Sequence, residues 1–97
     1  MTKIRWHKEA RLEAEVAANF YREKQRGLEV RFLDSLEDAV RRIQRHPMMY
    51  RKVEGDLRKC KLPHFPYGVI YRVRPESIEI IAVMHIRRAP GYWKQRK

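Results

Sequence analysis

The chain is poor in cysteine and has no long apolar run, and each shortage argues against a class of protein. Its single Cys60 cannot form an internal disulfide, and its place in an alternating segment indicates a small buried apolar side chain rather than a nucleophile. The longest uninterrupted apolar stretch, residues 80–84, is far shorter than the roughly 20 residues that cross a bilayer, and the charged N-terminus lacks the apolar core of a signal peptide. We therefore expect a cytoplasmic protein that does not act on a membrane.

The motifs of several enzyme classes are also missing. His7, His46 and His64 lie in different segments, and with one cysteine they form no familiar zinc-binding spacing. There is no glycine-rich phosphate loop, no G-x-S-x-G nucleophile motif and no pair of carboxylates that the sequence places on one surface. We predict no metal site and no cofactor, and hydrolases of these kinds are disfavoured.

Acidic residues are scarce in the second half of the chain. Residues 1–56 hold 13 basic and 10 acidic side chains, a net charge of +3, whereas residues 57–97 hold 10 basic and 2 acidic side chains, a net charge of +8. A field of this sign attracts a nucleic acid, a ribosome, an anionic membrane surface or an acidic protein segment. The charge defines the sign of the partner and leaves its identity open.

The first half of the chain predicts a strand followed by two helices. Residues 3–6 alternate between polar and apolar side chains, as in a half-buried strand, and Trp6 is expected in the core. Residues 8 to about 26 predict a helix whose core stripe is Leu12, Val16 and Phe20, widened by neighbouring alanines and Tyr21. Gly27 ends it, and a second helix runs from residue 28 to about 46, before Pro47. The short connection makes the two helices an antiparallel hairpin. The predicted core face of the second helix consists of Leu28, Phe32, Leu36, Ala39 and Ile43.

The second half predicts strands at residues 57–62, 67–73 and 78–86, after a connecting loop at residues 48–56. Short turns join these strands, so we expect a three-stranded antiparallel meander with the helices packed on one face. The 97 residues are enough for one domain, which spans 1–97 and has a basic C-terminal tail from about residue 87. The predicted fold class is α+β, in the order β-α-α-β-β-β.

The alternation of strand residues predicts which side chains face the solvent. If Cys60 and Leu62 face the helices, Lys59 and Lys61 face outward, onto a sheet surface that we expect to be solvated. Arg72 and the end of the last strand, His85 to Arg87, are expected to converge on the same surface. Such a cluster suits phosphate binding, and Tyr92 is placed to stack on a base. A solvated charged face without a ligand explains the same pattern.

Two candidate groups have competing interpretations. Histidine titrates near neutral pH, so His85 is a candidate general acid or base, but a strand-end histidine hydrogen-bonded to the tail is the alternative. Trp93 lies in a basic tail, where it is expected to be more open than Trp6.

The segments FPYGVIY at residues 65–71 and IIAVMHIRRAPGYW at residues 80–93 resemble the C-terminal half of RelE/ParE superfamily toxins. The helical hairpin that precedes them matches the order of elements in that family, so the resemblance covers nearly the whole chain. It implies the toxin of a type II toxin–antitoxin system, of the plasmid-stabilisation kind, with a cognate antitoxin as partner. The antitoxin of such a pair has an acidic or amphipathic tail that wraps over the helices and the sheet.

Family members either cleave messenger RNA on the ribosome or inhibit DNA gyrase. By resemblance to the ribosome-dependent members, Lys59 and Lys61 match the phosphate-binding lysines, Arg87 a later arginine, and Tyr92 or Trp93 a tail aromatic. The resemblance therefore implies Arg87, His85 and Tyr92 as candidate catalytic residues.

The sequence departs from the family pattern at one position. Gly68 stands where the ribosome-dependent members have an arginine, with Arg72 or Arg88 as possible substitutes in binding phosphate. The missing arginine favours gyrase inhibition. The alternatives are a ribosome-dependent messenger RNA endonuclease and, third, a non-catalytic RNA-binding module or inactive toxin, so whether the chain is an enzyme stays open.

Overall fold

A computed structural model describes residues 2–96 as two helices and five strands. In chain order they are β1 (Lys3–Trp6), α1 (Lys8–Lys24), α2 (Leu28–Arg45), β2 (Lys52–Glu54), β3 (Leu57–Lys61), β4 (Tyr67–Val73) and β5 (Ser77–His85). The predicted α+β class and the order of strand, helical hairpin and antiparallel strands are confirmed. None of these helices is long and apolar enough to span a membrane.

The five strands form one sheet in the order β1-β5-β4-β3-β2. Strands β3, β4 and β5 are the predicted antiparallel meander, and β1 joins its β5 edge in parallel, with Ile4 opposite Ile78. The prediction of a loop at residues 48–56 is wrong for Lys52–Glu54, which pairs with β3 as a short edge strand. All three of its residues are exposed, and its polar-apolar-polar run is too short to be recognised as a strand in a sequence.

The hairpin turn follows the sequence prediction. Gly27 has a φ of 93°, a left-handed conformation that glycine adopts without a side-chain clash, and it separates α1 from α2. The predicted core face of α2 is confirmed at Phe32, Leu36, Ala39 and Ile43, all of which are buried. Leu28, at the start of the helix, is half-buried.

The core face of α1 differs from the prediction. Leu12, Val16 and Phe20 are 51%, 67% and 48% exposed, while the buried positions are Ala10, Ala14 and Ala17. Small alanine side chains allow the helix backbone to lie close to β5, and this close contact decides which face turns inward. The larger apolar residues are left as an exposed stripe on the opposite side.

The sheet has an apolar cluster on each face. The larger cluster joins both helices to the inner face and includes Cys60, Tyr71 and Val83, while the smaller cluster on the outer face consists of Ile70, Ile81, Ala82, Met84 and Trp93. Trp93 is only 3% exposed, so the expectation that it is open is wrong. The expectation of a fully solvated outer face is also wrong, because the folded tail covers its middle.

Candidate functional site

The register of β3 and β4 places the two candidate lysines on the outer face. Lys59 is opposite Ile70 and Lys61 is opposite Gly68, whereas Cys60 between them is buried against the helices. The alkyl chain of Lys59 extends over Gly68, where an added Cβ would lie 2.8 Å from its Cε. A side chain at position 68 would therefore require only the flexible end of Lys59 to shift.

His85 does not lie on this surface. It pairs with Tyr67 across β4 and β5, and its ring packs edge-on against the Tyr67 ring at 5.2 Å between centroids, on the side of the larger core cluster. Its Nδ1 accepts a hydrogen bond from the backbone N–H of Arg87 at 3.1 Å. The expectation that His85 converges with Lys59 and Lys61 is wrong, because the alternation of β5 turns it to the other face.

Arg87 follows β5 at the end of the sheet where Lys61 also lies. The pairs Lys61 with Gly68 and Gly68 with Met84 align the three strands there, so Met84 is two strand spacings from Lys61, roughly 10 Å, and Arg87 lies three residues beyond Met84. The residue is exposed. Its position is compatible with a shared ligand, although a long bound molecule is needed to reach both residues.

Arg72 lies on the outer face but is engaged by a carboxylate. Its Nη2 and Nε lie 2.8 and 2.9 Å from Oε1 of Glu79, which also accepts from Nε of Arg74 at 3.1 Å. Although burial acts to raise the pKa of Glu79, the hydrogen bonds from these two guanidinium groups hold it below its ordinary value. Arg72 therefore has part of its donor capacity and charge already satisfied within the fold.

Glu13 of α1 contacts three residues of the C-terminal tail. Its carboxylate accepts a hydrogen bond from the Tyr92 hydroxyl at 2.6 Å and lies 2.7 Å from Nη1 of Arg96 and 3.5 Å from Nη1 of Arg88. The Arg88 guanidinium also stacks over the Tyr92 ring, 3.6 Å from its centroid. The side chains of Glu13 and Arg96 are each only 14% exposed. We call Glu13, Arg88, Tyr92 and Arg96 the tail latch.

The tail latch also completes the edge of β5. Strand β1 ends opposite Ile80, and the next residue, Ile81, forms a bulge in the pairing of β5 with β4. The Ile81 carbonyl accepts from Arg96 at 3.1 Å, and the Val83 N–H donates to Glu13 at 3.0 Å. Side chains thus satisfy backbone groups that a longer β1 would have paired.

These contacts change the expected role of Tyr92. Burial first, and then its hydrogen bond to the Glu13 carboxylate, raise the pKa of the Tyr92 hydroxyl. A phenol held in this way as a donor to a carboxylate is a poor proton acceptor at neutral pH. The chemistry assigned to Tyr92 by resemblance therefore needs the latch to open first.

Two cations that the sequence analysis left out join the lysines. A shallow cleft of about 430 Å³ is lined by Arg51, Lys52, Val53, Lys59 and Lys61. Arg51 precedes β2 and Lys52 begins it, so the sequence analysis, which did not predict this strand, did not single out either residue. Two adjacent basic residues before the strand at residue 57 were the available signal. The nearest acidic residue along β2, Glu54, is paired with Lys94 at 3.1 Å. We call this site the β2–β3 cleft.

The part of the chain that the structure describes offers no set of metal ligands. Within residues 2–96, no three histidine, cysteine, aspartate or glutamate side chains are grouped closely enough to hold an ion. Cys60 is buried, and burial raises the pKa of its thiol, which disfavours the reactive thiolate.

Comparison with known proteins identifies the family of the chain. The family model of the ParE toxin of the type II toxin–antitoxin system parDE matches residues 4–90. Comparison with curated proteins gives no match. A solved structure similar to the chain is the chromosomal ParDE toxin–antitoxin system from P. aeruginosa, with a TM-score of 0.66 and 15% identity over 88% of this chain and 96% of that chain. That likeness supports the fold, and the resemblance seen in the sequence is confirmed by the family match. The chain belongs to the ParE toxin family of type II toxin–antitoxin systems.

Proposed function

We propose that this toxin stops growth by inhibiting DNA gyrase rather than by cleaving messenger RNA. The observation that carries the proposal is the composition of the β2–β3 cleft: its lining includes no histidine, tyrosine or carboxylate. Cleavage of an RNA phosphodiester needs groups that move protons beside the phosphate, and although lysine can take this role, histidine is the side chain that takes it most often. Of the candidates for that role, His85 lies on the opposite face and Tyr92 donates to Glu13.

Gly68 supports the same interpretation. Ribosome-dependent relatives have an arginine at the matching position, whereas glycine supplies no cation here. Arg72 and Arg88, the possible substitutes, are paired with Glu79 and Glu13. An inhibitor that acts by binding alone needs none of these groups for proton transfer.

Induced expression of the toxin in a bacterial host tests the proposal. We expect growth arrest, induction of a DNA-damage reporter and loss of negative supercoiling in a resident plasmid within one generation, with messenger RNA ends unchanged in primer extension. An uninduced culture is the control. New cleavage sites in ribosome-bound messages, with normal plasmid topology, would contradict the proposal and support the endonuclease alternative. Unimpaired growth at the same protein level would support an inactive toxin.

We further propose that an antitoxin encoded beside the toxin gene neutralises it by covering the helical hairpin and the basic half of the chain. The exposed stripe of Leu12, Val16 and Phe20 is an apolar surface of the kind that an amphipathic segment covers. The net charge of +8 on residues 57–97 favours an acidic partner.

Co-expression with the neighbouring small gene tests this interaction. A stable complex and restored growth are expected. Val16→Glu should weaken the complex at least tenfold, because it puts a charge into the apolar contact, while Glu15→Gln on the same helix should leave it unchanged. Equal affinity of both variants for the antitoxin would contradict the use of this stripe.

A further inference from the structure

The basic side chains of the outer face divide into paired and unpaired groups. Arg72 and Arg74 share Glu79, Arg88 and Arg96 share Glu13, and Lys94 pairs with Glu54. Within residues 2–96, the four cations of the β2–β3 cleft form no ion pair with an acidic side chain, and neither do Lys3, Arg5 and Arg87; the cleft differs from these in bringing four such cations to one place. A paired cation has its charge largely compensated, whereas these four remain available to a ligand.

The backbone holds the two segments that carry these four cations side by side. The Lys59 N–H donates to the Arg51 carbonyl at 3.1 Å, and Lys52 is opposite Arg58 in the β2–β3 pairing. Arg58 in turn fixes the approach to β2, since its Nη1 donates to the Tyr50 carbonyl at 2.7 Å. The cleft is therefore framed by two paired strands, from which its cationic side chains extend.

The lining of the cleft indicates which anion it takes. Proteins that bind single-stranded nucleic acid combine cations with aromatic side chains on which bases stack, and this cleft has no aromatic residue in its lining. A duplex keeps its bases stacked inside and presents two rows of phosphates, which four cations and no stacking platform suit.

We propose that Arg51, Lys52, Lys59 and Lys61 bind the phosphate backbone of duplex DNA, without base specificity. The proposal rests on the proposed function, because a gyrase inhibitor meets DNA that is bound to its target. It assigns Arg51 and Lys52 to the same ligand as the two lysines. Arg72 and Arg88 do not line the cleft, and each is already paired with a glutamate, Arg72 with Glu79 and Arg88 with Glu13.

The salt dependence of binding measures this site directly. Each phosphate that a cation neutralises contributes about −0.9 to the slope of log affinity against log salt for duplex DNA. Full engagement of four cations therefore predicts a slope of about −3 to −4. The double variant Arg51→Gln with Lys52→Gln should bring the slope closer to zero by about 2. Both side chains are exposed, so the substitutions should leave the fold intact, as circular dichroism and thermal unfolding can verify.

The matched control removes two cations from the other end of the sheet. Lys3→Gln with Arg5→Gln makes the same change in net charge at exposed positions of β1, outside the cleft. Fluorescence anisotropy of the purified chain with two labelled 20-base-pair DNA duplexes of unrelated sequence is the measurement, between 50 and 200 mM salt. The cleft variant should lose about 2 from the slope on both duplexes, and the control variant less than 0.5.

Three outcomes would overturn the proposal. Equal losses in the two double variants would show diffuse attraction rather than a site, and a strong preference for one duplex would show base reading. Tighter binding of a duplex or single-stranded RNA of the same length would replace DNA as the ligand. Gyrase inhibition by the same variants separates the two proposals. If the toxin inhibits gyrase but the cleft variant leaves the salt slope unchanged, the DNA-binding proposal is refuted and the proposed function stands. If the salt slope changes as expected but the toxin does not inhibit gyrase, the proposed function is refuted.

Discussion

Replacement of Trp93 by alanine is expected to lower the free energy of unfolding by about 3–5 kcal/mol. The indole is 3% exposed and packs with Ile70, Ala82 and Met84 in the smaller apolar cluster. Its Nε1 also lies 3.3 Å from the Met84 sulfur. Loss of the ring removes most of the tail's apolar contact and opens the middle of the outer face to water, so both transfer free energy and packing are lost.

Chemical denaturation monitored by far-ultraviolet circular dichroism measures this effect. Trp93→Phe is the matched variant, because it keeps a ring in the cluster and should cost less than half as much. If Trp93→Ala changes the free energy of unfolding by less than about 1 kcal/mol, the tail does not cover the sheet in solution.

Replacement of Glu13 by alanine is expected to cost about 2–4 kcal/mol. The substitution leaves the Arg96 guanidinium without its carboxylate in a position that is 14% exposed, and it also removes the acceptor of the Tyr92 hydroxyl and of the Val83 N–H. Removal of one member of such a network lowers the free energy of unfolding more than removal of an exposed ion pair does, because the remaining polar groups lose their hydrogen-bond partners.

Glu15→Ala is the control for this prediction. Glu15 lies on the same helix and is exposed, so its replacement should change the free energy of unfolding by no more than about 0.5 kcal/mol. Thermal unfolding of both variants, with tail opening followed by tryptophan fluorescence, distinguishes loss of the latch from the change in helix propensity that both substitutions share. Equal stability of the two variants would show that the tail latch contributes nothing to the fold.

Periodicity predicted those elements whose burial is reflected in the type and spacing of side chains. The meander followed from β-branched and aromatic residues separated by short turns, and α2 followed from apolar residues at every third or fourth position. Helix α1 was placed correctly, but its inward face was not. Large apolar residues dominate a sequence pattern, whereas the alanines that allow close approach to β5 carry little signal. Strand β2 was missed because three exposed residues at the sheet edge are too few to show a detectable alternation.

The sequence predicted the position of a candidate site residue only where strand alternation determines the face of the sheet on which it lies. Alternation placed Lys59 and Lys61 on the outer face correctly. It should also have placed His85 with Tyr67 on the inner face, but the bulge at Ile81 shifts the register and conceals that pairing in the sequence. The attachment of Tyr92 and Arg96 to Glu13 joins positions more than 75 residues apart, so no local pattern reports it. Such contacts determine which cations are already paired, and hence which remain for a ligand.

The most direct test of the proposed mode of action is a supercoiling assay with purified gyrase, relaxed plasmid, ATP and the purified toxin. We predict that the toxin blocks the introduction of negative supercoils in a dose-dependent manner at close to stoichiometric amounts, and that the double variant Arg51→Gln with Lys52→Gln is at least tenfold weaker than the Lys3→Gln, Arg5→Gln control. Full supercoiling activity in the presence of excess folded toxin would contradict the account.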